Sequence, residues 1–178
     1  MHDIIPDIHG QADKLTAALR RLGYNERNGA WRHSDPNRPT LAFIGRIGSP
    51  WTKGNSPKNL REARAAGGSF TVQIDPPYRA GLLGLSAGDA IVLLYWMHAT
   101  RRDLIVQSPA HRNGPKGAFA LRSPARPNPI ALAVVRLLAI DAEGGHLTVD
   151  AIDAFDGTPV LDIKPWLASI DLPTGYEP

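Results

Sequence analysis

Two arginines and an asparagine stand in a nine-residue stretch stiffened by three prolines, Arg122-Ser-Pro-Ala-Arg-Pro-Asn-Pro-Ile130. Pro124, Pro127 and Pro129 fix their own φ and restrict the residues before them, so the run forms neither a helix nor a central strand. A rigid loop carrying Arg122, Arg126 and Asn128 presents planar donors at set positions, as carboxylate or phosphate recognition requires. The competing reading is a surface turn with solvated charges. The apolar run from Ile130 to Ile140 tips the balance, because it anchors the loop on a buried element.

Other chemistry-bearing residues are scattered. Asp150, Asp153, Asp156 and Asp162 crowd one segment, with a turn signal at Asp156-Gly157. Turn chemistry and a solvated acidic face account for each aspartate alone. The functional reading is a carboxylate that accepts ribose hydroxyls or faces a cationic ligand. His98 closes the apolar run Ala90–Trp96 and Met97, where a lone histidine is more often structural. Asp7 and His9 come after a short apolar stretch near the start. From Arg101 to Arg126 there are six basic residues (Arg101, Arg102, Arg112, Lys116, Arg122, Arg126) and one acid, Asp103. From Asp141 onward there are eight acids and one base, Lys164. The basic block suits a polyanion, with a merely solvated face as the alternative. No residue identifies itself as a general base.

These residues need elements to hold them. A chain of 178 residues can bury one sizeable core, and its net charge of +3 says little about partners. The absence of cysteine removes disulfides and thiolate metal sites, and suits the cytoplasm. There is no membrane-length apolar run and no secretory pattern. Residues 1–40 read as a unit: a strand through residues 3–10, then a helix with Leu15, Ala18, Leu19 and Leu22 at helical spacing, stopped by Gly23. From residue 41 the pattern is strand after strand. The expected strands are 41–47, 70–74, 90–98, 104–106, 117–121, 130–140 and 146–155, with a long loop at 51–68 carrying a helical patch at 60–66. A helical turn or two is expected at 78–85. Little helix and short turns predict a mainly β protein, a small antiparallel β-barrel with a short α/β N-terminal appendage.

Asp7-Ile-His-Gly and Gly29-Ala-Trp-Arg-His33 resemble the start of binuclear metallophosphoesterases, where Asp7 and His9 would be metal ligands. That family's later aspartate and histidine motifs are missing. Two ligands do not hold two metals, so no metal is expected and residues 1–40 read as a non-catalytic fragment.

Residues 41–173 resemble the TsaA-like (YaeB, TrmO) proteins. The matching motifs are Ile44-Gly-x-Ile-x-Ser-Pro50, Gly81-Leu-x-Gly-Leu85, the strand ending at His98, and Gly117-x-Phe-Ala-x-Arg-Ser-Pro124. Arg126-Pro-Asn-Pro-Ile130 and Asp153-x-x-Asp-Gly-Thr-Pro-Val-Leu-Asp-Ile-Lys-Pro165 complete the set. The resemblance implies a dimeric β-barrel that methylates the exocyclic nitrogen of threonylcarbamoyladenosine in tRNA, with S-adenosyl-L-methionine as donor. It places the cofactor against Pro57, Lys58 and Asn59; His98 and Ala99; Arg122 and Leu132; and Asp150, Ala151, Ile152 and Asp153. Arg101, Arg102, Arg112, Lys116, Arg126 and Asn128 would meet the tRNA. The chain departs from the pattern at Lys58-Asn59, Ala99 and Ala131, and its end stops short of a C-terminal extension found in longer members. These differences touch tRNA specificity more than cofactor binding. The alternatives are a cofactor-binding module with another or no acceptor, a metal-dependent phosphoesterase, and a structural protein.

Overall fold

Alternation of apolar and polar residues makes strands that can close on themselves, and the runs after residue 43 do so. The computed structural model describes residues 12–21, 23–27, 30–33, 41–109 and 113–176. The chain divides into two units, Met1–Ala42 and Phe43–Pro178.

In the first unit a helix, α1 (Ala12–Arg21), precedes an antiparallel hairpin of β1 (Tyr24–Arg27) and β2 (Ala30–His33). Gly23, at φ 85°, turns the chain out of the helix, and its N–H reaches the Arg20 carbonyl at 3.0 Å. Asp7, His9 and the strand expected around them lie outside the described residues.

The second unit runs through β3 (Gly45–Gly48), α2 (Leu60–Ala66), β4 (Thr71–Ile74), a 3-10 segment (Pro76–Leu82) and β5 (Ala90–Trp96). It continues with β6 (Val106–Gln107), β7 (Lys116–Gly117), β8 (Ile130–Asp141), β9 (His146–Val149), β10 (Pro159–Pro165) and a final turn of helix, α3 (Ala168–Asp171). Six strands form a closed barrel in the order β10-β3-β4-β9-β8-β5, every neighbouring pair antiparallel. Closure removes free sheet edges wherever neighbouring strands pair along their length. The two short strands β6 and β7 pair apart from it.

The inward positions form one core. Ile47, Val72, Ile91, Leu93, Leu137, Leu147 and Val160 are each at most 2 % exposed. Each such side chain contributes roughly 1.5–3 kcal/mol of transfer free energy. Gly45 has no room for a side chain: a Cβ there would lie 2.1 Å from the Gln73 carbonyl oxygen. The β3–β4 contact therefore depends on that glycine.

Three expectations are revised. The run from Ile130 to Ile140 is not buried throughout; it alternates, with Ala133, Val135 and Leu137 inside and Ile130, Leu132, Val134 and Leu138 exposed. Residues 117–121 are not a strand, since β7 stops at Gly117 and Ala118–Ala120 form a 3-10 turn. The carbonyls of Ala118 and Leu121, which a strand would give to a neighbour, go instead to the Arg126 guanidinium. Strand 146–155 also ends early, at Val149, and the segment from Asp150 to Phe155 builds the floor of a cleft.

Candidate functional site

The barrel wall opens where β8 leaves β9. β8 pairs with β5 from Ile130 to Arg136 but meets β9 only from Leu137 onward. In an antiparallel ladder alternate residues turn both backbone groups away from a given neighbour. Pro129 accepts from the Met97 N–H at 2.8 Å, so Leu132, Val134 and Arg136 turn theirs away from β5, toward the gap. Side chains take over there. Arg122 Nη2 donates to the Leu132 carbonyl and Arg64 Nη2 to the Val134 carbonyl, each at 3.0 Å. Asp150 replaces the missing strand at Arg136: its Oδ1 accepts the Arg136 N–H at 2.8 Å, and its own N–H reaches the Arg136 carbonyl at 3.0 Å.

One side of the gap is α2. Asn59 is its N-cap, with Oδ1 accepting the Glu62 N–H at 3.0 Å, and Glu62 Oε2 accepts the Lys58 N–H at 3.0 Å. This reciprocal capping satisfies amides that the first turn leaves unpaired. It also holds Pro57 and Lys58 at the helix entrance. Arg64 extends from the helix to a salt bridge with Asp150, Nε to Oδ2 at 2.7 Å.

The other side is the proline loop. One Nη of Arg126 donates to the carbonyls of Ala118 and Leu121, while its Nε is buried without a partner among the described residues. Gln107 Nε2 holds the Ala125 carbonyl at 2.6 Å and Arg102 Nε the Pro127 carbonyl at 2.8 Å. Arg102 also lies over the Trp96 ring, 5.3 Å from its centroid. The loop is rigid because Arg102 and Gln107 brace its carbonyls and Arg126 ties it to the preceding turn, as well as because prolines fix its φ.

The floor comes from the segment after β9. Trp51 Nε1 donates to the Ile152 carbonyl at 2.6 Å, and Ser49 Oγ to the Ala154 carbonyl at 2.7 Å. Asp156 Oδ1 accepts the Ser49 N–H at 3.2 Å, and the Gly157 N–H reaches the Ile47 carbonyl at 2.8 Å. Asp156-Gly-Thr-Pro159 is thus a clamp onto β3. With its neighbours pinned, half-buried Asp153 accepts a 2.7 Å hydrogen bond from the buried Tyr95 hydroxyl. Burial first, and then the Asp153 charge and hydrogen bond, push the Tyr95 phenol above its ordinary range; nearby Arg122 pulls the other way.

Together these walls enclose a cleft of about 1020 Å³. Its cations are Lys58, Arg61, Arg64, Arg122 and Arg126, and its acid is Asp153. Ile130, Leu132 and Val134 give it an apolar side. Such a site suits an anionic group, a flat apolar group and one positive charge facing Asp153.

Of the residues singled out from sequence, Pro57, Lys58, Asn59, Arg122, Arg126, Leu132 and Asp153 line the cleft. Asp150 stands behind it, engaged by Arg64 and Arg136, and Ala151 and Ile152 are fully buried. His98 and Ala99 belong to a smaller hollow of about 140 Å³, which shares Met97, Pro124 and Phe155 with the cleft. Arg101 is bound by Asp103, through Nε at 3.0 Å and Nη2 at 2.6 Å, and Arg102 braces Pro127. Lys116 and Asn128 are exposed and do not line it, and Arg112 lies outside the described residues. Among the described residues no cluster of histidine and carboxylate could hold a metal. Sequence reasoning passed over Arg61, Arg64 and Tyr95. The arginines share one face of a recognised helical patch at i, i+3 spacing, which was a readable signal. Tyr95 looked like any aromatic in a buried strand.

Known proteins share this architecture. The family model described as the tRNA-methyltransferase O N-terminal domain matches residues 46–172. A probable S-adenosyl-L-methionine-binding protein, VirR, of Rhizobium radiobacter is 38% identical over 127 residues, covering 71% of this chain and 70% of that protein. A probable S-adenosyl-L-methionine-binding protein of Archaeoglobus fulgidus is 39% identical over 131 residues, 74% of this chain and 35% of its own length. The crystal structure of TrmO from Pseudomonas aeruginosa superposes with a TM-score of 0.60 at 31% identity, over 82% of this chain. The present chain spans 62% of that TrmO chain.

Proposed function

The chain belongs to the family of the tRNA-methyltransferase O N-terminal domain, and from that membership we propose that it methylates the exocyclic nitrogen of a threonylcarbamoylated adenosine in tRNA, with S-adenosyl-L-methionine as donor. The observation that carries this reading is the cleft between α2, the proline loop and the free edge of β8. Its residues fit the donor: guanidinium groups for a carboxylate, Asp153 for positive charge, and Ile130, Leu132 and Val134 for an apolar ring. The volume of about 1020 Å³ leaves room for an acceptor base beside it. A dimeric working form belongs to the same proposal.

When bound, the donor supplies a methyl group already activated by its sulfonium. Transfer to the nitrogen would leave the sulfur as a neutral thioether with the bonding electron pair and would release the nitrogen's proton to water. The chain's part is to bind and align. Arg122 and Arg64 are fixed by β8 carbonyls and so present their remaining N–H groups in set directions. The braced loop keeps Arg122 from swinging. Exposed Lys58 and Lys116 offer charge to an RNA backbone, a contact that weakens as salt rises.

The test uses purified protein, methyl-labelled S-adenosyl-L-methionine and total tRNA from cells lacking this modification, with nucleoside separation and mass spectrometry as the readout. Label on the threonylcarbamoyl adenosine is the expected result. Donor binding without label on any nucleoside would replace the proposal with a cofactor-binding module or another acceptor.

A further inference from the structure

We propose that Tyr95 and Asp153 form the device by which this cleft tells a positively charged sulfonium donor from its neutral thioether product. Asp153 faces the charge and Tyr95 is its positioning residue. The inference rests on the reading of the cleft as a methyl-donor site.

The argument begins with charge. S-adenosyl-L-methionine carries one net positive charge near neutral pH, from a sulfonium, an ammonium and a carboxylate. Its demethylated product, S-adenosylhomocysteine, is a net neutral zwitterion. The cleft is lined by Lys58 and the guanidinium groups of Arg61, Arg64, Arg122 and Arg126. Among the described residues only Arg64 of these is offset by a salt bridge, to Asp150 behind the wall, so the remaining field favours the product over the donor unless an anion stands in the cleft. Asp153 is the acid among its described lining residues. A carboxylate in a partly desolvated cleft gives the donor an attraction that the product lacks. That attraction disappears when the methyl group leaves, which favours release of the spent product.

The carboxylate can do this only if it stays put, and the structure fixes it twice. Its backbone sits between Ile152 and Ala154, both fully buried. One oxygen accepts the Tyr95 hydroxyl at 2.7 Å. The Tyr95 ring is 2 % exposed and stands on β5 opposite Ala131 and Val160 of the flanking strands, so the hydroxyl cannot follow a moving partner. The second carboxylate oxygen has no hydrogen-bond partner among the described residues and remains for the ligand. Burial keeps the phenol protonated, so it acts as a donor and never as a competing anion.

A different use of Asp153, as acceptor for ribose hydroxyls, makes the opposite prediction, because donor and product share the same ribose. Calorimetric affinities for S-adenosyl-L-methionine and S-adenosylhomocysteine separate the two. They would be measured on the wild-type protein, Tyr95→Phe, Asp153→Asn and the double variant. Phe keeps the ring, Asn keeps an acceptor for the phenol, and thermal melts report folding. Asp153→Asn is expected to weaken donor binding by about tenfold or more while changing product binding less than about threefold. Tyr95→Phe should lower the donor-to-product ratio in the same direction. In the Asp153→Asn background it should leave that ratio unchanged, a result that a purely structural role would not give.

Equal losses for both ligands, or a ratio that Tyr95→Phe still shifts without Asp153, overturns the inference and leaves the methyltransferase reading standing. A wild-type protein that binds neither ligand overturns both. Should the variants not fold, sinefungin decides on the wild type, since it carries an ammonium in place of the methylsulfonium. Binding closer to the donor is expected, and binding no tighter than the product sinks the idea.

Discussion

Arg122 and Arg126 differ in what holds them, and so in what their loss does. Arg122 gives one Nη to the Leu132 carbonyl and is exposed, so most of its donors are free for a ligand. Arg126 is half-buried and gives one Nη to the carbonyls of Ala118 and Leu121. Arg122→Ala is therefore expected to weaken cofactor affinity by about tenfold with a stability change under about 1 kcal/mol. Arg126→Ala strips the Leu121 carbonyl of its guanidinium donor and leaves the Ala118 carbonyl with the Leu121 N–H at 3.3 Å, and is expected to cost about 1–3 kcal/mol in urea unfolding. Calorimetry and denaturation on the two variants check the contrast, and a reversed pattern would mean the roles are exchanged. Tyr95 carries a separate prediction. Its phenol titrates higher in the folded chain than in the unfolded one, so the unfolded state loses that proton first as pH rises. The stability it contributes is whole below about pH 10 and declines above it. Tyr95→Phe should flatten the fall of thermal midpoint above that pH. Arg122 stood out in the sequence because prolines stiffen its loop, whereas Asp153 in its turn-rich company looked like turn chemistry and became a candidate through the family resemblance. It hid Tyr95, because a phenol in an apolar strand looks the same whether its hydroxyl meets water, backbone or a carboxylate.

At the scale of elements, the cleft depends on α2, a helix of seven residues that is too short to be stable alone. Its order comes from the Asn59 cap, the Glu62 return bond, buried Ala63 and the Arg64–Asp150 bridge. Asn59→Ala is expected to cost about 1 kcal/mol and to speed amide exchange across 59–66. Cofactor affinity should fall with it, since Lys58, Arg61 and Arg64 all ride on the helix entrance or its first turns. Unchanged exchange over that segment would mean the barrel, not the cap, orders the helix. The helical patch at 60–66 was legible from its alanine and arginine content and lack of β-branched residues. The 3-10 turn at Ala118–Ala120 was not. Gly-Ala-Phe-Ala-Leu reads as a strand by composition, and the tertiary contact from Arg126 overrides it. The free edge of β8 was equally hidden. An apolar run of that length fits a fully buried strand or one with an exposed apolar face, and only the early end of β9 decides.

For the whole molecule, the question is whether the barrel stands by itself. Among the described residues the buried core cluster runs from Ile47 to Val160, and the family match covers 46–172. Every residue lining the cleft falls in the same span. No helix among the described residues is long and apolar enough to cross a membrane. The barrel's closure pairs its own edges, and α2 and the proline loop are braced from within it. Residues 43–178 expressed alone are therefore expected to unfold cooperatively, within about 4–8 °C of the full chain, and to keep its cofactor affinity. The first unit would then serve some role other than completing the fold. Calorimetric melting and ligand titration of both lengths check this. A large drop in melting temperature with affinity intact would make residues 1–42 a stabilising element. A loss of affinity with an unchanged melt would make them part of the binding site, and the division drawn from the core would have to be abandoned.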